Sequence, residues 1–152
     1  MKILVVYYSM YGHVLQLARA VEEGAKPVAG VEVILRRVAE FEEVSKKTAD
    51  NEFIVKVREQ QADIPVCTLD DLREADGVIF GSPTRYGNMT AQMKQLIDST
   101  ATLWLKGELE GQAGRGLHFH RFHARWPGDY PVNDDGSPHS SWHGHCRRSV
   151  FH

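Results

Sequence analysis

The start of the chain predicts a buried strand, a short polar loop and a helix. The strand is an unbroken apolar and aromatic run, Ile3-Leu4-Val5-Val6-Tyr7-Tyr8, typical of strands that are covered on both faces of a parallel sheet. The loop Ser9-Met10-Tyr11-Gly12-His13-Val14 supplies a hydroxyl at Ser9 and a flexible backbone at Gly12, and a helix is predicted to begin near His13. Because backbone N–H groups and the positive end of a helix dipole converge at such a turn, the loop is a candidate anion site.

Motifs that the chain lacks narrow the choice of anion. The sequence contains neither G-x-x-x-x-G-K-[ST] nor G-x-G-x-x-G, so neither a P-loop nor a dinucleotide-binding turn is supported. The loop has no Lys or Arg, and a phosphate there would be held by amides and hydroxyls. An ordinary β–α turn, with Ser9 near the start of the helix, is the alternative interpretation of these residues.

Length and charge predict one domain with no electrostatic case for binding nucleic acid. The chain has 152 residues, enough for a sizeable core, and a net charge of −2. No apolar run approaches the roughly 20 residues of a membrane span, and Met1-Lys2-Ile3 leads into the first strand without a signal peptide. Cys67 and Cys146 lack a metal-type spacing, which favours free thiols. We therefore expect a cytoplasmic protein.

Alternating strands and helices predict a doubly wound parallel sheet. A second strand is expected over residues 31–37 and a third over residues 77–83, with a helix from about Met89. Thr68 and Asp71 have the spacing of a capping pair, which predicts a short helix over residues 69–75. Residues 38–64 are charged and weakly patterned. We interpret part of this stretch as a solvated face formed by Glu40, Glu42, Glu43, Lys46 and Lys47, and we assign no chemistry to it.

A second candidate loop follows the third predicted strand. It has the sequence Thr84-Arg85-Tyr86-Gly87-Asn88. Ligands of open α/β sheets bind beyond the carboxyl ends of the strands. The Ser9 loop and the Thr84 loop both follow such ends, so we expect them at the same edge of the sheet.

Two long motifs carry a resemblance to a known family. Tyr7-Tyr8-Ser9-Met10-Tyr11-Gly12-His13 and Phe80-Gly81-Ser82-Pro83-Thr84-Arg85-Tyr86-Gly87-Asn88-Met89 together resemble the WrbA-type, FMN-dependent NAD(P)H:quinone oxidoreductases, a branch of the flavodoxin-like fold. The resemblance covers residues 1–111, which we expect to form the N-terminal part of a flavodoxin-like domain. It implies an α/β fold with a doubly wound parallel sheet, here truncated after the third βα unit, and a homotetrameric assembly.

The resemblance also implies roles for particular residues. Those that would hold the FMN phosphate are Ser9, Met10, Tyr11, Gly12, His13 and Val14. Thr84, Arg85 and Tyr86 would lie along the ribityl chain and the isoalloxazine ring. Tyr11 resembles the contact with the nicotinamide of NAD(P)H, the co-substrate, and Trp104 resembles the contact with the quinone. The alternatives are a core aromatic at Trp104, a surface cation at Arg85 and a structural histidine at His13.

The implied reaction passes a hydride from NAD(P)H to the flavin and then two electrons to a quinone. The flavin supplies the chemistry, and no side chain of the two motifs is predicted to be an indispensable proton donor. A flavodoxin that carries single electrons between proteins is the second reading, and Tyr11 and Trp104 favour the enzyme over it. A fragment without activity is the third.

The amino-acid composition of the chain changes at Gly111. Up to that residue there are 17 acidic and 13 basic residues, whereas seven of the eight histidines follow it. If the reading frame is shifted by one nucleotide, residues 116–128 can encode V-F-T-S-T-A-S-T-H-G-G-Q-E, which resembles the family's fourth strand and flavin loop. Because Trp has a single codon, Trp126 and Trp142 must each become Gly in that frame, and the family has Gly at both of these positions. We therefore interpret residues 112–152 as a frameshifted, poorly ordered tail.

The frameshift hypothesis also accounts for a metal-like pattern in the tail. His118-x-His120-x-x-His123 and His143-x-His145-Cys146 have ligand-like spacings, but shifted Thr codons encode His, so no metal site is predicted. Loss of strands four and five would leave the third strand as a bare edge that pairs with other chains. We accordingly expect weak or absent FMN binding and a tendency to aggregate.

Overall fold

A computed structural model describes residues 1–109 and the backbone of residues 113–116. Residues 110–112 and 117–152, which include both histidine patterns, Cys146 and most of the tail that we interpret as frameshifted, lie outside the described residues. The described elements are β1 Lys2–Tyr7, α1 His13–Ala25, β2 Glu32–Arg37, α2 Glu42–Lys47, α3 Glu52–Glu59, α4 Leu69–Glu74, β3 Gly77–Gly81, α5 Ala91–Ser99, α6 Ala101–Leu105 and β4 Ala113–Gly116.

The described strands form one parallel sheet in the order β2-β1-β3-β4. This order confirms the predicted doubly wound arrangement. β1 is flanked on both sides, since Tyr7 is in register with Arg37 of β2 and with Gly81 of β3. The backbone N–H of Tyr8 donates to the Gly81 carbonyl at 2.9 Å, so β1 and β3 stay paired up to the point where their loops begin.

Alternate residues of β1, together with Tyr8 directly after it, pack into two separate cores, one on each face of the sheet. Leu4, Val6 and Tyr8 pack on one face of the sheet with apolar residues of α4, α5 and α6, namely Leu72, Met93 and Leu103. Val5 and Tyr7 pack on the other face with residues of α1, namely Val14, Leu15 and Ala18. Because both faces are covered, β1 is apolar from Ile3 to Tyr7, as its sequence predicts.

The expectation of a bare edge at β3 is wrong. The four residues of β4 pair with β3 in parallel, with Gly77 opposite Ala113 and Phe80 opposite Gly116. The chain's own residues after Gly111 therefore supply backbone partners for the outer side of β3. The argument for aggregation that rested on an open β3 edge loses its basis, because paired N–H and C=O groups offer no template to another chain.

Residues 38–64 contain more structure than their composition suggests. α2 has no buried residue and is the solvated face expected of its Glu and Lys side chains. α3 differs, because Asn51 accepts a hydrogen bond from the Ile54 N–H and so caps the helix, and Ile54 and Val57 are buried. The predicted solvated face is wrong for Glu40, which is half-buried and accepts a hydrogen bond from Tyr8, and α3 adds a buried face that packs beside the first loop.

The predicted cap of α4 is confirmed. The Thr68 side chain accepts from the Asp71 N–H, and the Asp71 carboxylate accepts from the Thr68 N–H, which together make a capping box. In the part of the chain that the structure describes, no helix has the length and apolar character to cross a membrane.

Candidate cofactor site

The first loop ends in an uncapped helix. Gly12 is the N-cap of α1, with φ of +82°, and no side chain accepts a hydrogen bond from the first turn. In contrast, Asn51, Thr68 and Thr90 cap α3, α4 and α5 with their side-chain oxygens. Since a helix start leaves N–H groups without intrahelical partners, α1 presents donors that the other three helices have already satisfied.

These donors are open to a ligand. Among the described residues, nothing accepts a hydrogen bond from the backbone N–H groups of residues 10–14. The first turn of α1 has no acidic residue, so no carboxylate of that turn competes with an incoming anion. Ser9 is buried at the base of the loop, whereas Tyr11 and His13 are exposed. Amides that are left open at a helix start can donate to an anion.

α3 holds this loop from the outside. The buried Gln61, just beyond the end of α3, donates from Nε2 to the Ser9 carbonyl at 3.2 Å and to the Val57 carbonyl at 3.0 Å. The rings of Tyr11 and Phe53 stack with centroids 6.4 Å apart and planes inclined by 28°. Sequence reasoning missed Gln61, although Ile54, Val57 and Gln61 follow Asn51 at helical spacing and could have revealed a buried face.

The second loop is a tight, fully exposed turn. The N–H of Arg85 donates to the Asn88 carbonyl at 2.7 Å, and the N–H of Asn88 donates to the Arg85 carbonyl at 3.0 Å. Tyr86 and Gly87, the two residues between them, have φ of +52° and +80°. Positive φ at both central residues is typical of two-residue hairpin turns, and it is uncommon for a tyrosine. The turn leaves Thr84, Arg85 and Tyr86 exposed.

A pair of hydroxyl groups, one buried and one half-buried, closes the base of the second loop. The Ser82 hydroxyl accepts from the Thr90 N–H at 3.1 Å and lies 3.3 Å from the Thr90 hydroxyl. Thr90 is 1% exposed and also accepts from the Met93 N–H, which caps α5. The loop between them is therefore fixed at both ends, while its tip projects into solvent.

A second polar cluster contains Tyr8, the residue that precedes Ser9. Tyr8 donates to Glu40 at 2.6 Å, and Gln92 donates to the Tyr8 hydroxyl at 3.2 Å and to Glu40 at 2.7 Å. Burial, followed by the hydrogen bond to Glu40, raises the pKa of the Tyr8 phenol well above its ordinary range. The cluster joins the residues that follow β1 and β2 to the start of α5.

Trp104 is not a core aromatic. Its side chain is 72% exposed, whereas its neighbour Leu103 is buried at 2%. Among the described residues, the one ring contact joins Tyr11 and Phe53, so Trp104 stacks on neither loop within this part of the chain. The alternative of a buried anchor is therefore wrong, and an exposed indole is left for a binding role.

The two loops leave adjacent strands side by side, as predicted. β1 and β3 end in register at Tyr7 and Gly81. A Cβ atom on Gly81 would lie 3.2 Å from Val14 Cγ1 and 3.3 Å from Tyr7 Cβ, so the lack of a side chain lets α1 approach β3 closely. Among the described residues, no hydrogen bond joins residues 9–14 to residues 84–86.

The arrangement defines a class of protein. A parallel sheet in the order β2-β1-β3-β4, with an amide-lined loop after the central strand, is that of a flavodoxin-like protein. The crystal structure of a flavodoxin, WrbA-like protein from Agrobacterium tumefaciens agrees with this fold, with a TM-score of 0.51 and 24% identity over 76% of this chain and 57% of that chain.

Sequence comparison places the chain in a family. Residues 1–120 match the family described as NADPH-dependent FMN reductase, and the chain belongs to that family. A protein from Geotalea daltonii called NAD(P)H dehydrogenase (quinone) is 54% identical over 114 residues, which cover 75% of this chain and 55% of that protein. Its namesake from Syntrophobacter fumaroxidans is 50% identical with the same coverage. The chain thus spans about half the length of the curated relatives it matches.

Proposed function

We propose that this chain binds FMN through the loop of residues 9–14 and contributes to the reduction of quinones by NAD(P)H. The observation that carries the proposal is the uncapped start of α1, where N–H groups of residues 10–14 are open at the carboxyl end of the central strand. The name of the relatives, NAD(P)H dehydrogenase (quinone), supports an enzyme rather than a carrier of single electrons.

The loop suits a phosphate monoester. A dianion gains from several amide donors and from the positive end of the 13-residue helix α1. Gly12 adopts a φ of +82°, a backbone conformation that directs successive N–H groups toward one side and that residues with a Cβ rarely adopt. The described loop carries no cationic side chain apart from what His13 would supply when protonated, so specificity for the phosphate rests on the backbone.

Exposed side chains around the loop suit the remainder of the cofactor and the substrates. Thr84, Arg85 and Tyr86 are all exposed on the neighbouring turn, where they would line the ribityl chain and the flavin ring. Tyr11 is 48% exposed at the mouth of the phosphate loop, where it would contact the nicotinamide. Trp104 would contact the quinone through its exposed indole. Exposed aromatic faces bind planar rings well because they add dispersion and stacking to the burial of apolar area.

When bound, FMN would supply the redox chemistry, which is to accept a hydride from NAD(P)H and to reduce the quinone. The residues of this chain would bind and orient the FMN. Residues 10–14 hold the phosphate, and the fixed turn of residues 84–88 limits where the flavin ring lies. The free thiol of Cys67 is consistent with action in the cytoplasm, and a homotetramer is the assembly that the family resemblance implies. Weak FMN affinity in a chain of this length stays a prediction.

Titration of the 152-residue chain with FMN and with riboflavin tests the proposal. Riboflavin has the same ring and ribityl chain but no phosphate. We expect quenching of flavin fluorescence with a Kd for FMN at least about tenfold lower than for riboflavin, because the loop's amide donors act on the phosphate alone. Equal affinities for the two flavins would overturn the phosphate loop, and no binding of either would overturn the proposal.

Two serine variants sharpen that titration. Ser9→Ala removes the hydroxyl of the loop and is expected to weaken FMN while leaving riboflavin unchanged. Ser99→Ala is the matched control, because Ser99 is exposed at the end of α5 and donates only to the Leu96 carbonyl. If the chain binds FMN, oxidation of NADH and NADPH with benzoquinone as acceptor then tests the reaction, and FMN binding without turnover would refute the activity for this chain.

A further inference from the structure

A buried glutamine, Gln61, donates a hydrogen bond to the backbone of residues 9–14, the proposed phosphate loop. Gln61 is 7% exposed, and its Nε2 donates to two main-chain carbonyls, those of Ser9 and Val57. The bond to Ser9 links residues 52 positions apart in the chain. An amide Nε2 has two donors, so both are used, and no other side chain of the described residues donates to the backbone of residues 9–14.

The bond to the Ser9 carbonyl sets the direction of the next N–H group. In a trans peptide the C=O and the N–H of the next residue lie in one plane and point in opposite directions. With the Ser9 oxygen held toward α3, the Met10 N–H must face the other way, toward the open side of the loop. Rotation of this peptide would replace a donor by a carbonyl oxygen, which repels a phosphate.

Other contacts of α3 act on the same loop without fixing a peptide plane. Val57 lies beside Gly12, since a Cβ there would be 3.5 Å from Val57 Cγ2, and Phe53 stacks on Tyr11. Both are apolar contacts, which restrict position but not the direction of a dipole. Gln61, just beyond the end of α3, differs from these two residues because its hydrogen bond can fix the direction of a backbone N–H group.

We propose that Gln61 is a positioning residue, which holds the Ser9–Met10 peptide so that the Met10 N–H faces the anion. The inference rests on the proposed function for its ligand but not for the loop conformation. Gln61 itself touches no ligand and acts through the backbone of Ser9. Its side chain thereby converts a flexible β–α turn into a preorganised site.

The test replaces Gln61 by a side chain of similar length that cannot donate. Gln61→Met is expected to raise the Kd for FMN about tenfold, since a lost hydrogen bond and an unpaired carbonyl each weaken the loop, and to leave the Kd for riboflavin unchanged. In 15N relaxation, the order parameters of Met10 and Tyr11 are expected to fall from about 0.85 toward 0.6, without any ligand present.

Gln92→Met is the matched control. Gln92 is equally buried at 7% and also donates two hydrogen bonds, but to the side chains of Tyr8 and Glu40 rather than to the loop backbone. It is expected to cost similar stability while leaving the ratio of the FMN and riboflavin affinities and the loop order parameters unchanged. A general loss of packing would instead move both variants alike.

The outcomes separate this inference from the proposed function. If the natural chain binds no FMN but Gln61→Met still loosens residues 10 and 11, the proposed function fails and the role of Gln61 stands. If Gln61→Met leaves both the affinity ratio and the order parameters unchanged, or weakens FMN and riboflavin equally with no local loosening, the inference is overturned.

Discussion

The phenol of Tyr8 donates a 2.6 Å hydrogen bond to the carboxylate of Glu40, and this partly buried pair joins the segments that follow two adjacent parallel strands. The other carboxylate oxygen of Glu40 accepts from the Phe41 N–H at 2.9 Å and from Gln92 at 2.7 Å. The Tyr8 hydroxyl and both carboxylate oxygens of Glu40 thus have partners, which a polar network needs if it is to stabilise a fold.

The first prediction concerns alkaline pH and Tyr8. Its folded pKa is raised above the ordinary value of 10.0 by burial and by Glu40, so the folded state keeps a proton that the unfolded chain releases. The stabilisation is complete below pH 10 and is lost as pH rises beyond it. Tyr8→Phe should therefore reduce the decline in unfolding free energy above pH 10 by up to about 1.4 kcal/mol per pH unit. Urea unfolding from pH 7 to pH 11 measures this decline.

Two other buried groups, the Tyr7 phenol and the Cys67 thiol, also contribute to the loss of stability at alkaline pH. Burial raises the pKa of Tyr7, and burial raises the pKa of the Cys67 thiol to about 12, so both contribute a decline of the same sign. The difference between natural protein and Tyr8→Phe isolates the Tyr8 share. Tyr86→Phe is the matched variant, because it makes the same substitution at a fully exposed tyrosine. A Tyr8→Phe slope equal to that of the natural protein would contradict the prediction.

The second prediction concerns acid pH and the cap of α4. Burial acts to raise the pKa of Asp71, but hydrogen bonds from Thr68 and the charge of Arg36 outweigh it, so the pKa is lowered from 3.8. Because the pKa of Asp71 is lower in the folded chain than in the unfolded chain, the ionised carboxylate stabilises the fold above pH 3.8. This stabilisation is lost as the pH falls through the lowered pKa. Asp71→Asn should cost about 1–2 kcal/mol at pH 7 and less at pH 3, as measured by urea unfolding.

Asp70→Asn is the matched control for the cap. Asp70 is the neighbouring carboxylate of α4, pairs with Arg73 and is 74% exposed, whereas the Asp71 side chain is 15% exposed. An exposed pair contributes little, so Asp70→Asn should change stability by less than about 0.5 kcal/mol at either pH. Equal costs for the two variants would show that the capping box is not the source of the effect.

The third prediction tests the close approach of α1 to β3. Gly81→Ala places a Cβ 3.2 Å from Val14 Cγ1 and 3.3 Å from Tyr7 Cβ, distances tighter than ordinary contact. We expect a loss of about 1–3 kcal/mol in thermal or urea unfolding, since overpacking a filled core forces shifts of the backbone. Val14→Ala removes one of the two obstructing groups, so the double variant should lose less than the sum of the single losses. Strict additivity would rule out the contact as the cause.

Local signals carried much of this fold. Thr68 and Asp71 predicted the α4 cap because a capping box is formed within four residues. The apolar run of β1 predicted a central strand for a similar reason, since burial on both faces requires apolar residues at every position. The order of the strands followed from the alternation of strands and helices together with the family resemblance.

Long-range contacts escaped the sequence. Gln61 reaches Ser9 across 52 residues, and Gln92 reaches Tyr8 across 84, and no local pattern encodes such pairs. Charged residues between Phe41 and Glu59 hid the buried face of α3, because Asn51, Ile54 and Val57 are a small minority among them. β4 was missed because Ala113–Gly116 has no apolar alternation, and it is the unpaired edge of β3 that makes those residues a strand.

The last prediction uses two glycines of one helix. Gly12 caps α1 with φ of +82°, whereas Gly24 lies within the helix with nothing within 4 Å of its Cβ position. Gly12→Ala should cost about 1–2 kcal/mol from its left-handed backbone, although Val57 at 3.5 Å leaves room for the methyl group itself. Gly24→Ala should instead stabilise the helix by about 0.5–1 kcal/mol. Thermal unfolding of both variants measures the pair.

The same pair separates stability from binding. A strained residue 12 turns the first N–H groups of α1 away from their common direction, so Gly12→Ala should also weaken FMN relative to riboflavin. Gly24→Ala lies at the opposite end of α1 and should leave that ratio unchanged. Adding the stabilising Gly24→Ala to Gly12→Ala should recover part of the lost melting temperature but none of the lost FMN affinity. Recovery of both together would mean that the loop depends on global stability rather than on the backbone of Gly12.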